Sequence, residues 1–161
     1  MTDKNPVIEE WLARIDVVEH RLASEAEKSG GATDADPQTG EAWERGQVWG
    51  HLAEFVPFWT EQVGDVIDEY RGEPIVYGRT REDAGRKAGI DAGLEVSIAT
   101  LWEEVKSDLA DLRAFLGVLP DGWDRSVGMH QTRGEMSATK IIDDHLVAHL
   151  EEHAAQLENI S

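Results

Sequence analysis

The chain has 161 residues, with 33 acidic against 15 basic side chains and a formal charge of −18. That length fits one domain, 1–161, with a real core; the field of so many carboxylates repels a duplex or an anionic membrane, so neither nucleic acid nor membrane is expected as a partner. There is no cysteine, which excludes disulfides, thiolate ligands and a cysteine nucleophile; if the chemistry uses sulfur, the thiol arrives on a small molecule.

The opening Met1-Thr-Asp-Lys-Asn-Pro6 is polar and lacks the apolar stretch of a signal peptide. No apolar run approaches the roughly 20 residues of a membrane span, so a cytoplasmic protein is expected. Asn5 caps a first helix with Pro6 in its first turn. Ile8, Trp11, Leu12, Ile15, Val18 and Leu22 then keep helical spacing toward Lys28, and Gly30-Gly31 ends the helix. Residues 32–40 read as a loop without an apolar face.

A second helix starts between Gly40 and Gly46. Val48, Leu52, Phe55, Val56, Trp59, Val63, Val66 and Tyr70 fall on one side of it at about 100° per residue. Glu54, Glu61, Asp65 and Asp68 fall opposite, and His51 lies at the apolar edge. Pro57, inside the helix, removes a backbone bond and predicts a kink. Residues 71–80 form a long connection, and Thr80 is the expected cap of a third helix running to about Leu116. Its first half repeats Ala-Gly at 84–85, 88–89 and 92–93. Each helical glycine costs up to about 1 kcal/mol against alanine. Either close approach of another backbone or ligand offsets that cost, or the first turns fray.

Residues 117–134 read as another long connection, and Ser137 caps the last helix, which runs to about Ile160. No run alternates well enough to predict a strand. Four amphipathic helices with long connections predict an all-α, four-helix bundle with crossover connections.

The last helix carries His145, His149 and His153, three of the six histidines, spaced by four residues. On a helix that spacing stacks them on one face, and neutral imidazole is a common metal ligand. Ile142, Leu146, Leu150 and Leu157 centre the apolar face; His153 lies within it, His149 near its edge, and His145 further round toward solvent. His149 and His153 are therefore the expected ligand pair, joined across the bundle by His51, with His145 flanking or supporting them. His20 and His130 take no role from spacing and read as exposed or loop residues. His149-Leu-Glu-Glu-His153 also matches the H-x-x-E-H of some zinc peptidases, with Glu152 as base, but that chemistry wants a third ligand far downstream and too little chain follows. A di-iron bundle wants Glu-x-x-His on two helices, and no histidine here has a glutamate three residues before it.

Three stretches resemble the DinB-like superfamily of metal-binding four-helix bundles. They are Gly46-Gln-Val-Trp-Gly-His51-Leu-Ala-Glu54, Gly128-Met-His-Gln-Thr-Arg-Gly-Glu-Met136, and His149-x-x-x-His153-x-x-Gln156. Within it the chain looks most like actinobacterial members related to mycothiol-dependent maleylpyruvate isomerases and transferases. The resemblance implies a divalent metal, zinc or nickel, on His51, His149 and His153, with open positions for water or substrate and with Gln156 beside the ligands. Many relatives carry a further histidine where Glu152 stands. It further implies a low-molecular-weight thiol such as mycothiol, activated to attack an electrophilic substrate; a homodimer is expected. The alternative is a non-catalytic bundle acting in assembly or stress binding, with or without a structural metal. Last, Arg71, Arg79, Arg81, Arg86 and Lys87 cluster around the start of the third helix. Arg79 and Arg86 could hold a ligand's anionic end by a two-point fork.

Overall fold

A computed structural model describes residues 5–160. Met1 to Lys4, part of the polar opening read above, lie outside the described residues. Four long helical stretches form the frame. They are α1 (Pro6–Glu25), α2 (Arg45–Glu69), α4 (Ile98–Gly117) and a last stretch built from α5 (Ala138–Ile141), a π-helical turn (Ile142–Val147) and α6 (Ala148–Glu158). Asn5 caps α1 by accepting from the Val7 amide, and Ser137 caps α5 by accepting from Lys140. The core holds the residues that helical spacing placed there, among them Ile15, Leu52, Leu109 and Leu150, all fully buried. Burying each such side chain contributes about 1.5–3 kcal/mol. α2 packs on α4 and on the last stretch, while α1 packs on α4 and α6. Arg14 pairs with both Asp143 and Glu151, and Arg21 with Glu158, which ties α1 along the last stretch.

The fold is not purely all-α. Three short strands, β1 (Ile75–Tyr77), β2 (Val127–His130) and β3 (Gly134–Ser137), make a sheet in the order β1-β2-β3. β1 runs parallel to β2, with Tyr77 opposite His130, and β2 pairs antiparallel with β3. Strands of three and four residues are too short for alternation to show in sequence. A turn signal was present all the same. Gly134 has φ +74° and closes a three-residue hairpin loop after His130, the usual place for a left-handed glycine.

The expected third helix is two. The cap is Asp83, whose side chain accepts from the Arg86 amide, rather than Thr80. Helix α3 (Ala84–Ala92) then stops, and α4 restarts from a Ser97 cap. The Ala-Gly steps serve the packing of α3. A Cβ on Gly50 would meet the Gly89 carbonyl oxygen at 2.5 Å, and Gly46 and Gly93 would clash with each other's backbone. The glycines thus let α3 lie directly on α2, and the seam ends at Gly93. Of the two readings of the repeat, close approach of a neighbouring helix holds at Gly89 and Gly93; a Cβ on Gly85 would meet only the Asp83 carboxylate, at 3.2 Å.

Candidate metal centre

α2 passes the π-helical turn and α6 at the level of its first turns, and this brings three histidines from two helices together. The ring centres of His51 and His153 are 4.6 Å apart, those of His51 and His149 5.1 Å, and those of His149 and His153 4.7 Å. One ring nitrogen from each lies within 4.8 Å of the others. His51 and His153 are buried, and His149 is partly so.

Each ring is held by its other nitrogen. Nδ1 of His51 is 2.7 Å from Glu54 Oε1, Nδ1 of His149 is 3.2 Å from the His145 carbonyl, and Nδ1 of His153 is 2.8 Å from Gln156 Oε1. These partners are acceptors, so Nδ1 carries the proton and Nε2 carries the lone pair. The Nε2 atoms of His51 and His149 then face one another at 3.3 Å. Two lone pairs at that distance repel unless a cation lies between them. Three imidazoles with fixed tautomers and converging lone pairs can hold a metal ion.

Electrostatics favour the ligand form. Burial lowers the pKa of all three histidines, and their mutual repulsion adds to the effect at His51 and His149; His149 is pushed down to about 2. The imidazoles are therefore neutral at neutral pH. Glu54 was placed on the wet face of α2, yet its side chain is only 12% exposed. Burial raises its pKa against the pull of Arg79, whose Nη2 lies 2.5 and 2.7 Å from its two oxygens.

Glu54 is the main residue that sequence reading missed. The signal was available: His51-x-x-Glu54 and His153-x-x-Gln156 share an i, i+3 spacing that puts an acceptor beside each ring. Trp43 was missed as well. Its segment, 32–44, is a wall of the site rather than a detached loop. The Trp43 ring stacks on His153 at 6.2 Å and meets His51 edge-on at 5.3 Å.

His145 does not face solvent. It is buried and stacks on Trp59, with ring centres 4.0 Å apart and planes 11° from parallel. The π-helical turn explains the difference. A wider turn takes more residues per revolution, so residues four apart come nearly into line and the α-helical wheel misplaces His145. The same turn sends its neighbour Asp143 to Trp11 and Arg14, and Asp144 to Arg133 and Lys140. His130 is neither exposed nor in a loop; it is buried on β2 beside His145, with ring centres 5.7 Å apart. His20 is exposed.

A cavity of about 1000 Å³ opens over the three histidines. Trp59, His130, His145, Arg79 and Arg86 are among the residues that line it. The two arginines differ. Arg79 is 8% exposed, bound to Glu54, near Asp83 and stacked on Phe58. The half-buried Arg86 guanidinium lies 5.8 Å over the Trp43 ring. Its Nη1 donates to the Arg81 carbonyl.

No protein-family model and no curated protein matches this sequence. Among solved structures, the crystal structure of the mycothiol-dependent maleylpyruvate isomerase is similar to it. The likeness covers 96% of this chain with a TM-score of 0.68 and 14% sequence identity. This chain spans 64% of that protein's length. The two chains share a fold, a helix-rich frame with a small sheet.

Proposed function

We propose that His51, His149 and His153 bind one divalent ion, zinc or nickel, in a transferase or isomerase that uses a low-molecular-weight thiol such as mycothiol. The observation that carries this reading is the convergence of one ring nitrogen from each histidine within 4.8 Å, with the Nε2 atoms of His51 and His149 3.3 Å apart, in a cluster whose three Nδ1 atoms are already committed. The fold shared with a mycothiol-dependent enzyme supports the choice of thiol. Imidazole donors suit zinc and nickel. Held by these three neutral imidazoles, a divalent ion would supply the Lewis acidity that lowers a thiol's pKa.

The chain's own residues do the rest. Glu54, Gln156 and the His145 carbonyl fix the tautomers and aim the rings. Arg79 holds Glu54 in place. Trp43 and Phe55 pack against the imidazoles and keep bulk water from their faces. Trp59 and His145 give the cavity a flat wall for the electrophile.

Metal analysis of protein purified without chelator tests the first half of this reading; about one ion per chain is expected. No ion, either as purified or after reconstitution with zinc and nickel, would sink it. Thiol-dependent consumption of an electrophile by the loaded protein tests the second half. A loaded protein whose ion exchanges no ligand with added thiol would instead be the non-catalytic bundle with a structural metal.

A further inference from the structure

The cavity holds a charge that has no ion-pair partner among the described residues. Among the described residues, Arg86 makes no ion pair within 4.0 Å, although it is half-buried. Burial lowers its pKa, the sign of a cation held away from water, and the two nearest opposing charges, Glu41 and Glu54, act only at a distance. Glu54 is already bound by Arg79. A half-buried guanidinium without a direct ion pair is a poor contribution to stability but a good anion receptor.

Its position relates it to the metal centre. The indole of Trp43 carries the Arg86 guanidinium on its ring, and the same indole packs against His51 and His153. Arg86 and two of the three histidines therefore contact the same indole. The Arg86 charge is felt at all three histidines, lowering the pKa of each. Helix α3 holds it there: the Asp83 cap accepts from the Arg86 amide, and the glycine seam fixes α3 on α2. Arg79 faces the same cavity but is neutralised by Glu54 and Asp83.

We propose that Arg86, seated on Trp43, is the subsite for a single carboxylate on the ligand whose other end reaches the three histidines. This rests on the metal reading above and names the class of molecule that it takes: a thiol or electrophile bearing a carboxylate at the end away from its reacting group. A planar carboxylate matches the guanidinium fork. A dianionic phosphate fits less well, because Asp34, Asp36, Glu41 and Glu82 line the same cavity and would repel a second charge.

The test uses full-length protein loaded with cobalt(II), whose absorption reports thiolate ligation. The probes are linear mercaptocarboxylates of increasing length, each against the mercaptoalcohol of equal length. The wild type should favour the carboxylate by about tenfold at the length that spans the gap. Arg86→Met should abolish that preference, read as the ratio of the two probes on the same cobalt-loaded variant so that any general loss of thiolate binding cancels; Arg81→Ala, at an exposed neighbour, should keep it. No carboxylate preference at any length, or a preference that survives Arg86→Met, overturns the subsite while leaving the metal centre standing. If cobalt does not bind, the metal reading falls, and linear dicarboxylates are titrated into the metal-free protein by calorimetry. Binding lost in Arg86→Met then upholds the anion subsite alone, and no binding overturns it.

Discussion

The molecule contains two groups of buried histidines, side by side in one cavity, and they are built on different plans. In the group of His51, His149 and His153, each Nδ1 is tied to an acceptor and the free nitrogens converge. In the pair of His130 and His145, the rings lie nearly parallel to Trp59 and to each other. Nδ1 of His130 accepts from the amides of Thr132 and Arg133. Burial lowers the pKa in both groups. Burial and depressed pKa thus do not distinguish the two groups; the direction of the uncommitted ring nitrogens does.

The sharpest way to break this comparison is to remove one ring from each group. His153→Ala should abolish the bound ion, and His145→Ala should leave metal content unchanged, as measured by metal analysis of the purified variants. Equal loss from both would show that the pair also ligates. A smaller effect is expected at Glu54, which orients His51 without being a ligand. Glu54→Gln should weaken metal affinity about 10- to 100-fold, in line with changes to outer partners at other metal sites, when measured by competition with a chelator. An unchanged affinity would make Glu54 a purely structural ion pair.

The packing pair should instead be read through stability. His145→Ala opens a cavity under Trp59 and should cost about 2 kcal/mol in urea unfolding of the metal-free protein. His130 and His145 also make stability depend on pH. His145 titrates at about 4 in the folded chain against 6.5 for the free side chain, so below pH 6.5 the unfolded state takes up a proton that the folded state refuses. Stability is then complete above pH 6.5 and falls as the pH drops toward about 4. His145→Phe, which keeps a ring on Trp59, should make that fall shallower in the metal-free protein. An identical pH profile for the variant would mean that His145 is not held neutral. The smallest effect is expected at Asp108. Burial, Asp111 and Glu104 push its carboxyl up to about 6, so the folded state carries an unwelcome charge at neutral pH. Asp108→Asn should stabilise by up to about 1 kcal/mol there and by less as the pH falls below that value.

Much of this was legible before any coordinates. The apolar residues at helical spacing in α1, α2, α4 and the last stretch are the core, because a helix that buries one face writes that face into its sequence. The Asn5 and Ser137 caps were legible for the same local reason. The spacing of His149 and His153 on one helix, with His51 on the apolar edge of another, is likewise a sequence property. The rest depended on contacts between segments. β1 and β2 are about fifty residues apart in sequence and each is too short to carry a pattern alone. Glu54 looked solvent-facing because a helical wheel knows nothing of Arg79, which arrives from a later loop to bury it. Gly89 and Gly93 looked like weak helix until α2 supplied the backbone that needs them. His145 turned inward because the π-helical turn changed the angle per residue. Periodicity within one helix is set by that helix alone; ring direction, charge pairing and backbone approach are set by two segments at once, and only the tertiary structure brings those together.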